Sequence, residues 1–279
     1  MSADGASTPG TLYIVSTPIG NLGDMTPRAV EVLQQVAAVL AEDTRHTRVL
    51  CERFAIRTPL LAYHEHNEAQ ATPGLVARLV AGESLALVSD AGTPLLSDPG
   101  LRLVQAAIAA GVQVSAVPGA SALLAALAGA GLATGRFTFF GFLPRKGGER
   151  TRVLGEVVAL AHTAVLYEAP SRLAATLADL AAAGAGERAT VVARELTKQY
   201  EEFRRGTVAE LAAYYADHEP RGEIVIVLDG APDGAPDEGA LRARAAELRA
   251  AGKGAREIQQ ALLAAGASRN VAYRLAHEA

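Results

Sequence analysis

The sequence predicts an α/β fold made of two α/β units followed by a small helical tail. Short apolar runs alternate with helical stretches from residue 11 to residue 228, which is the order that builds a sheet covered by helices on both faces. Clusters of glycine, proline and small polar residues follow several of those runs, where a strand turns into a helix. Residues 229 to 239 (DGAPDGAPDEG) then break the pattern with an acidic Pro/Gly segment, beyond which the chain is basic and helical. With 279 residues, half of them hydrophobic and 20% charged, the chain is long enough for two real cores.

Taken in order, MSADGASTPG reads as a flexible leader with no signal-peptide pattern. Leu12 to Ser16 is a buried strand entering the turn at Pro18, Gly20, Asn21 and Gly23, and Thr26-Pro27 opens a helix. Val36 to Leu40 is the next strand, followed by the polar group from Glu42 to His46. Pro73 to Ala81 is helical, Leu85 to Ser89 is a strand, Leu101 to Ala110 is a helix and Val112 to Val117 is a strand. Pro118-Gly119-Ala120-Ser121 leads into a helix from Ala122. This alternation implies a mostly parallel sheet. A second cycle has strands at 137–140, 163–167, 189–193 and 223–228, with helices at 150–161, 171–182 and 208–215. Three short helices follow at 241–250, 256–265 and 268–277. The expected organisation is a leader over 1–10, an N-terminal α/β domain over 11–125 and a C-terminal α/β domain over 126–230. An acidic linker over 231–240 and a basic helical accessory domain over 241–279 complete it.

Composition narrows the function. A single cysteine, Cys51, excludes an intrachain disulfide and suits a reducing cytoplasm, and no apolar run approaches the length of a membrane span. The strand-end turns are neither a GxGxxG nor a P-loop, so they suit a nucleotide or sulfonium cofactor bound in another way, or purely structural turns. His64-Glu65-His66 lacks the further ligand a zinc site needs, so no metal is expected. On a strand, alternation would put His64 and His66 on one face and Glu65 on the other. Ser89, Ser97 and Ser121 lack the nucleophile elbow of a hydrolase. The 26 basic and 30 acidic residues give a net charge of −4, which conceals segregation. Basic residues gather over 136–152 and in the tail, whereas 217–239 holds seven acidic residues against Arg221. Basic patches of this kind can meet RNA phosphates or merely face solvent.

An ordered set of longer motifs goes further: LYIVSTPIGNLGDMTPRAVE (12–31), AEDTRHTRVL (41–50), YHEHNE (63–68), LVSDAGTPLLSDPG (87–100), VPGASA (117–122), FFGFLPRKGGER (139–150), YEAPSRL (167–173) and RELTKQYEEFRRGT (194–207). Together they resemble the ribosomal small-subunit RNA methyltransferase I family, a branch of the tetrapyrrole methylase superfamily. Ser171 stands where that family commonly has histidine, and Leu101 where it commonly has tyrosine. The resemblance implies a cofactor cleft between two α/β domains of tetrapyrrole-methylase type, and a homodimer. It implies S-adenosylmethionine-dependent 2'-O-methylation of a cytidine in the decoding region of 16S ribosomal RNA, within the small ribosomal subunit. The cofactor site it implies comprises Pro18, Ser89, Asp90, Gly92, Thr93, Pro94, Ser97, Ser121, Ala122, Tyr167 and Glu168. Asp43, Glu65, His66 and Asp98 are the candidates for a base that takes the hydroxyl proton. Arg45, His46, His64, Arg145, Lys146, Arg194 and Lys198 are the candidate RNA contacts. A small-molecule or tetrapyrrole methyltransferase and a nonenzymatic RNA-binding protein are the competing readings.

Overall fold

The computed structural model describes residues 8–232, 238–265, 267 and 269–278. The first half is a sheet of β1 (Thr11–Val15), β2 (Ala38–Ala41), β3 (Leu60–Ala62), β4 (Leu85–Val88) and β5 (Gln113–Val117). Their order is β3-β2-β4-β1-β5, and every neighbouring pair is parallel. The helices between them are α1 (Pro27–Gln35), α2 (Thr44–Arg53), α3 (Glu68–Val80) and α4 (Leu101–Ala109), with α5 (Ala122–Ala130) after β5. β2 and β4 are buried at every residue, which is why they read as continuous apolar runs. Their period of two divides the core. Val39, Ala41, Ala86 and Val88 pack with Leu33 of α1 and Leu50 of α2, while Ala38, Leu40, Leu85 and Leu87 pack with Leu79 of α3 and Leu103 of α4.

Local chemistry sets the helix starts. The Thr26 hydroxyl accepts the Ala29 amide and Pro27 fills the first turn of α1. α2 was hidden in the polar run after β2; the Asp43 carboxylate accepts the Arg45 amide at 2.8 Å, and Thr47, Leu50 and Cys51 bury one face. α3 begins at Glu68 rather than at Pro73. Proline in the second turn removes only the amide that would reach one carbonyl in the turn before, and the buried Thr72, Leu75 and Leu79 hold the segment in place. His64 to His66 enter a turn rather than a strand. Asn67 closes it by accepting the His64 amide and donating to the Ala62 carbonyl, both at 2.9 Å.

The second half is a sheet of β6 (Phe137–Phe142), β7 (Thr163–Glu168), β8 (Ala189–Arg194), β9 (Glu202–Thr207) and β10 (Ile224–Leu228) in the order β6-β7-β10-β8-β9. Only β6 and β7 are parallel; the other pairs are antiparallel. The mostly parallel expectation therefore holds for the first sheet and is corrected for the second. Residues 195 to 201 are too few for a crossover, so β8 must fold back on β9, a strand the pattern had not suggested. Helices α6 (Gly147–Ala159), α7 (Leu173–Leu180) and α8 (Val208–Asp217) cover one face. A capping box of Thr207 and Glu210 starts α8.

The opposite face of the second sheet is covered by α5, a helix of the first half. Leu123, Ala126, Leu127 and Ala130 pack with Val165, Val191, Val225 and Val227 in one cluster. The expected boundary between residues 125 and 126 falls inside this helix, which runs unbroken to Gly131. The tail helices α9 (Glu238–Ala250), α10 (Ala255–Ala264) and α11 (Arg269–His277) share a separate cluster around Leu241, Ile258, Leu262 and Leu275. Residues 1–7 of the expected leader and 233–237 of the expected linker lie outside the described residues. Among the described residues, no helix is long and apolar enough to cross a membrane.

Gly129 of α5 faces the Phe203 ring of β9 so closely that a methyl group would collide with it. Gly129→Ala should therefore destabilise the protein by about 1–3 kcal/mol. At an open helical site the same change would stabilise by about 1 kcal/mol. Chemical denaturation of the two proteins reads the sign directly.

Candidate functional site

Strand order brings the turns together. β4, β1 and β5 are neighbours, so the segments after Val88, Val15 and Val117 leave the sheet side by side at its carboxyl edge. Thr17 and Gly92 exchange backbone hydrogen bonds at 2.8 and 3.1 Å. The Thr93 hydroxyl donates to the Ala120 carbonyl at 3.1 Å and lies 2.9 Å from the Ser16 hydroxyl, which therefore donates to it. All three segments are thus tied into one rigid edge. Gly92 has φ +82°, and even a Cβ there would press on Ile19 at 3.2 Å, so glycine is required.

Above this edge lies a cavity of about 450 Å³ whose other wall belongs to the second sheet. Asp90, Gly92, Thr93, Ser97, Asp98, Ser121 and Ala122 line it from the first half, and Tyr167 and Glu168 line it from the second. Pro18, Ser89 and Pro94 are not in its lining. Ser89 is buried beneath, its hydroxyl donating to the Ala91 carbonyl at 3.3 Å. Ser121 caps α5 by accepting the Leu124 amide. Glu168 is 2% exposed and fully used: it accepts the Ala169 amide at 2.9 Å and the Thr176 hydroxyl at 2.6 Å, and pairs with Arg172 at 3.2 Å. Its role is to hold the turn at 169–172 that forms the cavity's edge.

The wall is acidic. Burial and the neighbouring Asp90 charge push the Asp98 carboxyl up to about 6, against a hydrogen bond from Ser89. Glu42 is raised by burial and by Asp98, Asp90 and Glu65. Asp43 goes the other way, because the Arg45 side chain and amide hold its carboxyl well below the usual range. Asp43 caps α2 and pairs with Arg45 at 2.7 Å, which lowers its basicity relative to Asp98 and Glu42. Glu65 and His66 are exposed in the turn before α3, with His66 meeting the His64 ring edge-on at 6.0 Å. The His64 Nδ1 is buried with no hydrogen-bond partner among the described residues. Among the described residues, no group of three or more His, Cys, Asp or Glu side chains could hold a metal ion.

The basic candidates divide in the same way. Arg145 and Lys146 are exposed just before α6, and His46 is exposed on the first turn of α2. Arg194 pairs with Glu202 at 3.2 Å. The Lys198 ammonium sits between Glu195 at 2.8 Å and Glu223 at 2.9 Å, and its stem lies on Gly20 of the first half. Two of its three donors thus go to Glu195 and Glu223, and its stem bridges the halves as a clasp beside the cavity. Sequence reading missed Glu42, Phe142, Leu196, Gly222 and Glu223 in the lining. Phe142, at the end of β6, is 54% exposed at the cavity. Gly222 and Glu223 carried no signal, because only the antiparallel β10 delivers them there.

A family model for Tetrapyrrole (Corrin/Porphyrin) Methylases matches residues 11–212. A ribosomal RNA small subunit methyltransferase I of Xylella fastidiosa is 54% identical over 229 residues, covering 81% of this chain and 84% of that protein. One of Synechocystis is 53% identical over 222 residues, covering 80% of each. The chain belongs to the ribosomal RNA small subunit methyltransferase I branch of the tetrapyrrole methylase family. The fold agrees. A uroporphyrin-III C-methyltransferase from Thermus thermophilus, solved with S-adenyl homocysteine, superposes with a TM-score of 0.55 at 21% identity over 79% of this chain and 97% of its own. The tetrapyrrole methylase architecture of two α/β halves around a cleft is therefore the architecture of this chain.

Gly20 has φ +148°, and a methyl group there would strike the Lys198 stem. Gly20→Ala should cost about 1–3 kcal/mol of stability and loosen the clasp. Denaturant unfolding checks the first effect, and faster proteolysis between residues 195 and 201 the second.

Proposed function

We propose that this protein transfers the methyl group of S-adenosylmethionine to the ribose 2'-oxygen of a cytidine in the decoding region of 16S ribosomal RNA. The single observation that supports it best is the acidic, partly apolar cavity between the halves of a chain whose relatives are named ribosomal RNA small subunit methyltransferase I. The residues suit the cofactor. Ile19, Leu96, Leu196 and Val225 offer apolar faces for an adenine, Gly92 and Gly222 bare backbone, and Asp90 and Asp98 carboxylates for a cation. When bound, S-adenosylmethionine supplies an activated methyl on a positively charged sulfur.

The chain's own groups supply the rest. Raised to about 6 by burial and Asp90, the Asp98 carboxylate is a stronger proton acceptor than an ordinary aspartate and could take the ribose hydroxyl proton as the new bond forms. The rigid edge tied through Ser16, Thr93 and Ala120 fixes the reacting geometry, which is where alignment contributes most. Phe142 offers an exposed ring at the cavity, and Arg145 and Lys146 follow it closely enough to meet the RNA backbone. The proposed setting is the cytoplasm, with a homodimer acting on the small ribosomal subunit.

Labelled S-adenosylmethionine incubated with the protein and either small subunits or free 16S RNA tests the reading. Label on the 2'-oxygen of a decoding-region cytidine is expected, whereas label on a base, or only on a tetrapyrrole, overturns it. A second prediction concerns pH. The Asp98 carboxyl gains its charge as pH rises through about 6, so the preference for the sulfonium of S-adenosylmethionine over neutral S-adenosylhomocysteine should grow severalfold from pH 5 to 7.5. Calorimetric titration should show that dependence flattened in Asp98→Asn.

A further inference from the structure

A second cavity of about 580 Å³ adjoins the first and shares Glu42, Ser97 and Asp98 with it. Its remaining walls come from the turn after β3, the start of α3 and the first turns of α4, including Glu65, Glu68, Leu101, Arg102 and Gln105. We propose that this cavity receives the base of the target nucleotide, and that Glu68 and Arg102 read its hydrogen-bonding edge and select cytosine over uracil. The inference rests on the cytidine reading above and deepens it.

Position is the first argument. A ribose whose 2'-oxygen reaches the shared wall at Asp98 has the cofactor cavity on one side and the second cavity on the other. Charge is the next. Glu42, Glu65, Glu68 and Asp98 repel a phosphate, so what enters is an uncharged base edge bearing N–H donors, while the backbone stays outside.

The pair itself supplies the discrimination. Arg102 Nε donates to Glu68 Oε1 at 3.3 Å, with the two side chains 56% and 21% exposed. Neither the second Glu68 oxygen nor the terminal Arg102 nitrogens have another partner among the described residues. An acceptor and a donor therefore lie side by side. Cytosine matches them: its exocyclic amine donates to a carboxylate, and its N3 and O2 accept from a guanidinium. Uracil opposes them at both places, because its O4 would face the carboxylate and its N3–H the guanidinium. Leu101, 61% exposed in the free protein, adds an apolar surface in the same wall.

The test uses the full-length protein, labelled S-adenosylmethionine, and 16S RNA or small subunits carrying either cytidine or uridine at the methylated position. Wild type should favour cytidine in kcat/KM on the order of 10- to 100-fold. Glu68→Gln should lower that ratio about tenfold, partly by raising the rate on uridine, since an amide can turn its donor toward O4. Arg102→Met should lower it as well, through KM for RNA. S-adenosylmethionine affinity and circular dichroism should match wild type in both variants. An unchanged cytidine-to-uridine ratio in both variants overturns the proposal, as does an equal loss on both RNAs. Equal wild-type rates on the two RNAs overturn it while leaving the methyltransferase reading intact, and no transfer to either RNA overturns both.

Discussion

The seating of α5 on the second sheet is the contact on which the rest depends. A helix that begins at the carboxyl edge of the first sheet buries Leu123, Ala126, Leu127 and Ala130 against the valines of β7, β8 and β10, so one hydrophobic cluster belongs to both halves. Burial of apolar area at this junction, at about 25 cal/mol per Å², resists hinge opening far better than a polar interdomain contact could. The cavity is a consequence. Because Ser121 is both the cap of α5 and part of the lining, the element that joins the halves also sets the distance between their walls. Smaller ties act in the same direction: Gly141 of β6 leaves just enough room for the Ser97 hydroxyl, and Lys198 closes over Gly20.

Charge is arranged by depth. Glu42, Asp90 and Asp98 put carboxylates on the cavity wall, where a cation would be held and a polyanion refused. The exposed cations Arg145 and Lys146 lie outside, where interaction with phosphates is strong at low salt and screened at high salt. Such an arrangement is what the proposed entry of a nucleotide base, with its backbone at the surface, requires. It also explains why total charge says little about an RNA substrate.

Much of the fold was legible because local rules and tertiary demands agreed. The four buried residues of β2 and of β4 are apolar without interruption, as strands covered on both faces must be, and Thr26-Pro27 carries its own helix start. Reading failed where a side chain's job was set by something distant. In EDTRHT Asp43 reads as a candidate base, and the structure shows it capping α2 and paired with Arg45; in RELTK Lys198 reads as a phosphate contact, and the structure shows it between Glu195 and Glu223. β9 was missed because FRRG carries no alternation, its pairing being imposed by a short connection from β8.

By itself, then, the sequence determined the kinds of element, the strand-end turns, and the family to which the motifs belong, since each is encoded in a few adjacent residues. Tertiary structure alone decided that the second sheet is mixed, that α5 joins the halves, and that Asp98 shares one acidic wall with Glu42 and Asp90. Those outcomes depend on which strands lie side by side and on how deeply a carboxylate is taken from water. Neither is a property of any short stretch of chain.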